Sequence, residues 1–190
     1  MWNDKLRLAL LKQNIILLGG NINDGTFFDL SEAILGFIAD GAPPITIIIT
    51  GDGGDIDIAM QIHDLLKLYQ GETTGIVYGW ARSAAVIVLQ ACKKRLITPS
   101  SFIQVHPVST NGIPLGDLKD LDKMKEITDR FQQKQDEIRD LIATRSRQDP
   151  ERISQIIQTG AMMDAKTAIA NGFIDGIATE LPAIPRPYSR

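Results

Sequence analysis

Short runs of β-branched residues alternate with longer segments of helical spacing, and this alternation restricts the fold more than any other feature. "NIILLGG" (14–20), "PITIIIT" (44–50), "TGIVYG" (74–79) and "SSFIQVHP" (100–107) are bounded by Gly, Pro or Asp, and they read as strands buried on both faces. Between them, "TFFDLSEAILGFIAD" (26–40), "IDIAMQIHDLLKLYQ" (56–70) and "SAAVIVLQACKK" (83–94) place apolar residues at helical intervals over lengths too great for typical strands. Strand followed by helix implies βαβ crossovers. The expected fold class is therefore α/β, a mainly parallel sheet with covering helices and with functional sites at the carboxyl ends of its strands.

The 190 residues, 44% hydrophobic and 23% charged, suffice for one domain with a sizeable core, expected over residues 1–180. The remaining 181–190, within the proline-rich "ELPAIPRPYSR", read as a flexible tail. A net charge of −3 without a basic cluster argues against a nucleic-acid partner. No run approaches the roughly 20 apolar residues of a membrane span, and the start lacks the pattern of a signal peptide, so a cytoplasmic protein is expected. Cys92 is the only cysteine; it excludes an intrachain disulfide, and its apolar neighbours suggest a buried, inert thiol.

Residues 117–147 differ from the rest. Leu118, Leu121, Met124, Ile127, Phe131, Ile138, Leu141 and Ile142 recur every three or four positions in a charged background, the pattern of a long amphipathic helix. At 1.5 Å per residue such a helix spans about 45 Å, longer than the body of the domain, so part of its stripe is expected to pack on another subunit. Two shorter helices follow, one begun by Asp149 and Pro150 and one by Asp164 that stops near Gly172.

An imidazole base must be His63 or His106. His63 falls within a helix beside Asp64, whereas His106 ends a predicted strand, where a parallel sheet exposes its functional edge. Ser83 follows a strand and turn and opens a helix. There it is either a nucleophile, helped by nearby free N–H groups, or a plain N-cap serine. "ITGDGGDIDIAM" (49–60) runs from strand to helix through paired glycines whose N–H groups an anion or a substrate strand can approach. It lacks the phosphate-loop pattern, and Asp52 and Asp55 would repel phosphate.

Taken in order, these motifs resemble the proteolytic subunits of the Clp protease, ClpP. "LLKQNIILLGGNIND" is similar to the family's opening strand, "ITGDGGDIDIAMQIHDLL" to its glycine loop and helix, "GWARSAA" to its nucleophile turn, "TPSSFIQVHP" to the strand that ends in the base, and "AKTAIANGFIDGI" to the closing segment. The resemblance spans about residues 6–180. It implies the ClpP/crotonase-like fold with a projecting handle helix, and two stacked seven-membered rings that hydrolyse unfolded polypeptides in a closed chamber without metal or cofactor. It further implies Ser83 as nucleophile, His106 as general base, and the Gly54 and Ala84 N–H groups as oxyanion hole. The implied partners are other copies or other ClpP subunits and a Clp-family AAA+ ATPase.

Three departures accompany the resemblance. The family's catalytic aspartate falls on Gly160; Asp164 is the candidate substitute, against its competing role as a helix cap, and Asp149 is a remoter one. Arg82 and Asp52 replace a small residue and a proline, and either pair at the cleft edge or stand as solvated charges. Few residues precede the first matched helix, so a less gated entrance and an altered dependence on the ATPase are expected. The rival expectations are a structural ring subunit with weak or absent chemistry and, more distantly, a crotonase-like acyl-CoA enzyme.

Overall fold

A computed structural model describes residues 4–109, 113 and 115–180. In chain order it contains α1 (Asp4–Leu11), β1 (Ile15–Ile22), α2 (Asp24–Ala39), β2 (Ile45–Gly54), α3 (Ile56–Leu68), β3 (Thr73–Arg82), α4 (Ala84–Ala91) and β4 (Lys94–Ile97). β5 (Phe102–Gln104), α5 (Leu115–Leu118), α6 (Leu121–Ser146), α7 (Pro150–Thr159), β6 (Met162–Asp164), α8 (Ala165–Ala170) and β7 (Gly176–Ile177) complete it. The expected tail at 181–190 lies outside the described residues.

The sheet runs β1-β2-β3-β4-β7, with β5 beside β3 and β6 beside β5. Every pairing is parallel except β5 with β6. β3 changes partner along its length: Thr74–Val77 pair with β4, whereas Trp80–Arg82 pair with β5. This exchange carries its carboxyl end beyond the central sheet. All eight residues of α4 are buried, as expected of a helix that is apolar but for Gln90, whose side chain donates to Phe173 O and accepts from Arg95. The alternating strands and helices agree with the predicted class. The fourth helix ends at Ala91 rather than near 94, because the chain turns extended at Cys92 and enters the short edge strand β4.

The long amphipathic stretch is not one helix. Asp120 accepts hydrogen bonds from Asp122 N and Lys123 N at 3.1 Å each and so begins α6 afresh. The buried residues of α6 are Ile142, Ala143 and Ser146, near its C-terminal end; among the described residues nothing fully buries its first half, where Leu121 is 86% exposed and Met124, Ile127 and Phe131 are half-buried. None of the described helices is long and apolar enough to cross a membrane.

Candidate active site

The turn between β3 and α4 is strained at one residue. Ser83 has φ 50° and ψ −126°, a conformation that non-glycine residues rarely adopt and that must be held by its surroundings. Part of the hold is a hydrogen bond from Ser83 N to Gln104 O at 2.8 Å, which ties the turn to β5. The hydroxyl makes no capping bond to α4. A plain N-cap serine would be extended and would accept a bond from the helix's first turn, so that alternative does not describe Ser83.

Paired glycines bring a second segment against this turn. A Cβ on Gly53 (φ 97°) would stand 2.7 Å from Ser83 Cβ and 3.0 Å from Ala84 N. At Gly54 (φ 140°) it would collide with Ile22 O and Asn21 Oδ1. Both positions therefore require glycine, and the loop passes directly over the N-terminus of α4, whose first N–H groups have no partner within the helix. Asp55 N donates to Ile22 O at 2.9 Å. Asp55 also caps α3 through Asp57 N and Ile58 N.

His106 closes the site. Its Nδ1 lies 2.8 Å from Pro107 O. A carbonyl only accepts, so Nδ1 carries the proton and Nε2 is left as the basic nitrogen. Ser83, Ala84, Gly54 and His106 line one pocket of about 100 Å³, floored by Ile87, Ile138, Ile142 and Ile157. Among the described residues no hydrogen bond joins Ser83 Oγ to the imidazole, a contact that in many enzymes tightens only with substrate. A larger cavity of about 390 Å³ between α1, β1 and α2 is mostly apolar and contains none of these groups.

The structure does not bring the other candidates there. Asp164 caps α8, accepting from Thr167 N at 2.8 Å, and Thr167 holds its carboxyl below the usual range. It lines a shallow recess with Pro99 and Ile169 instead. Asp149 caps α7 through Glu151 N, and His63 bonds to Asp64 on α3. Gly160 is the residue that does lie near the histidine, since a Cβ there would meet His106 Cβ at 3.6 Å. Cys92 is buried, and burial pushes its thiol up to about 12 against the opposing charges of Arg145 and Arg95. Arg82 and Asp52 form an ion pair at 3.1 Å.

Two participants escaped sequence reasoning. Gln104 supplies the carbonyl that anchors Ser83 and donates Nε2–H to Gly160 O at 2.7 Å. Gln135 on α6 accepts from Val108 N at 3.1 Å and lines the pocket. Its signal was present, because a glutamine at 135 interrupts the apolar series 131, 138, 142 on the inward face.

A parallel sheet that delivers an uncapped, strained serine, two crowded glycines and a histidine to one apolar cleft has the parts of an acyl-transferring hydrolase. The chain belongs to the Clp protease family, whose sequence profile matches residues 2–181, and it is a serine peptidase subunit of the ClpP type. The ATP-dependent Clp protease proteolytic subunit of Leuconostoc citreum (strain KM20) is 28% identical over 174 residues, covering 90% of this chain and 86% of the relative. A solved structure of a ClpP1 mutant from Listeria monocytogenes matches with a TM-score of 0.78 at 25% identity, covering 92% of this chain and 96% of that one.

Proposed function

We propose that Ser83 Oγ attacks the carbonyl carbon of a peptide bond while His106 Nε2 takes its proton and later returns it to the leaving amine; water then releases the acyl group by the same route. The Gly54 and Ala84 N–H groups hold the oxyanion. The observation that carries this reading is Ser83 itself, strained and free of capping in the pocket that Gly54, Ala84 and His106 share. With Gly160 at the position of the family's aspartate, the Pro107 carbonyl sets the tautomer of His106. Being neutral, it stabilises the imidazolium less than a carboxylate does, and slow turnover follows. The isoleucine floor favours an apolar side chain on the acyl side of the cut.

We further infer that α6 packs between two seven-membered rings stacked as a tetradecamer, because among the described residues nothing buries the apolar side chains of its first half, with Leu121 exposed and Met124, Ile127 and Phe131 half-buried. Unfolded polypeptides cleaved in an enclosed chamber, a cytoplasmic setting and feeding by a Clp-family AAA+ ATPase belong to the same proposal; the Leuconostoc relative's name carries the ATP dependence. A fluorophosphonate probe read by intact mass tests the chemistry. Stoichiometric labelling, lost in Ser83→Ala and strongly slowed in His106→Ala, is expected. An assembled ring that takes no label would instead favour a structural subunit.

A further inference from the structure

We propose that Arg82 and Asp52 are a positioning pair that holds the glycine loop against the nucleophile turn; the inference rests on Ser83 being the nucleophile. The need for a tether is visible in the sheet. β2 and β3 are in register up to Ile49 with Val77, lose it, and resume only at Gly51 with Ala81, so the ladder breaks just before the strand ends that carry the site. Beyond it the loop reads Gly51-Asp52-Gly53-Gly54. On its other edge this segment stays paired with β1 as far as Ile22 with Gly54; toward β3 and the nucleophile turn, Asp52 is its only side chain and hence its only side-chain anchor.

Arg82 is itself held firmly. Its guanidinium carbon lies 5.6 Å from the Trp80 ring centre and 5.2 Å from that of Phe102, within the range of cation–π attraction. The two rings stack across β3 and β5 at 6.4 Å. Arg82 Nε is buried and has no hydrogen-bond partner among the described residues, while Nη1 donates to Asp52 Oδ1 at 3.1 Å. The line of contact therefore runs from β5 through the rings and Arg82 to Asp52, and then through Gly53 to Ser83 and Ala84. A drift of the loop moves Gly54 N–H relative to Ser83 Oγ, and misplacement by about 1 Å can cost on the order of 10² in rate. With side chains 38% and 62% exposed, the pair contributes little to folding stability, which separates a positioning role from a stabilising one.

The experiment uses the full-length protein with Asp52→Asn, Arg82→Met, their combination, and Asp52→Glu, which keeps the charge. Ser83 labelling rate, kcat and KM on a peptide with an apolar acyl-side residue, and amide hydrogen exchange over 51–54 are measured together. Each neutral variant is expected to slow labelling and kcat by about three- to tenfold with KM nearly unchanged, and to speed exchange in the loop. The double variant should be no slower than the slower single, and Asp52→Glu should recover most of the rate. Wild-type labelling and exchange in both single variants, or additive losses in the double, would overturn the pairing. If exchange responds as expected but the native protein takes no label at Ser83, the tether stands and the nucleophile assignment is what fails.

Discussion

At the scale of single residues the site turns on what orients His106. Gly160 adopts φ 58° at the end of α7, a left-handed conformation that asparagine and aspartate tolerate better than most residues, and a Cβ there points toward the histidine. Gly160→Asp should therefore raise kcat by at least about tenfold, since losing this carboxylate costs about 10⁴ in a well-studied triad; Gly160→Ala should bring no gain. Steady-state peptidase assays of both variants decide the matter, and a Gly160→Asp enzyme no faster than Gly160→Ala would mean that the Pro107 carbonyl already suffices. Asp164 cannot take this part without giving up Thr167 and the start of α8.

Among the elements, α7 has a leverage that its ten residues do not suggest. Asp149 caps its beginning, Ile153, Ile156 and Ile157 bury its inner face, and Gly160 ends it where Gln104 Nε2 donates to its carbonyl. A weakened cap should thus be felt at both ends. Asp149→Ala is expected to cost about 1 kcal/mol of stability, lowering the thermal midpoint by about 2–4 °C in a chain of this size. Calorimetry checks the loss, and an unchanged midpoint would show that packing alone holds α7. The handle behaves differently. Gln135 binds the backbone at Val108, and Lys134 pairs with Asp57 at the start of α3. The second half of α6 is thereby fastened beside the pocket, while none of the residues in its first half is buried.

Across the whole molecule, a charged cluster joins the late strands to the core. Arg95, its side chain 4% exposed, pairs with Asp175 between β4 and β7, and Arg145 of α6 donates to Gln90 O, Cys92 O and Lys93 O. Burial alone would raise the Asp175 carboxyl, but hydrogen bonds from Arg95 and the charges of Arg95 and Arg145 outweigh it and hold it below 3.8. A depressed carboxyl contributes stability that is present above pH 3.8 and lost as pH falls through the lower native value. Cys92 acts at the other limb. Its thiol is raised from 9.0 to about 12, so its contribution is present below pH 9.0 and is lost as pH rises toward 12. Urea unfolding over a pH series should show both declines, with Asp175→Asn flattening the acid limb and Cys92→Ala the alkaline one. Alkylating reagents should leave native Cys92 unmodified at neutral pH and modify it in urea.

Much of this order was legible without coordinates. Side-chain period is a local property, so the runs at 14–20, 44–50 and 74–79 and the helices between them declared an α/β sheet, and Ser83, His106 and the paired glycines stood out by their positions at strand ends. The short strands β4, β6 and β7 did not, because two to four residues carry too little pattern to distinguish them from loop. Nor could spacing decide between a capping and an uncapped Ser83, a choice made by φ and by the reach of Gln104 O. The same holds for Asp164, spent on Thr167, for the Pro107 carbonyl that sets the His106 tautomer, and for Arg82 meeting Asp52 thirty positions away. Local sequence determines which face of an element is buried; register and strain, which arise only when distant strands pack, determined which polar groups remained free for chemistry.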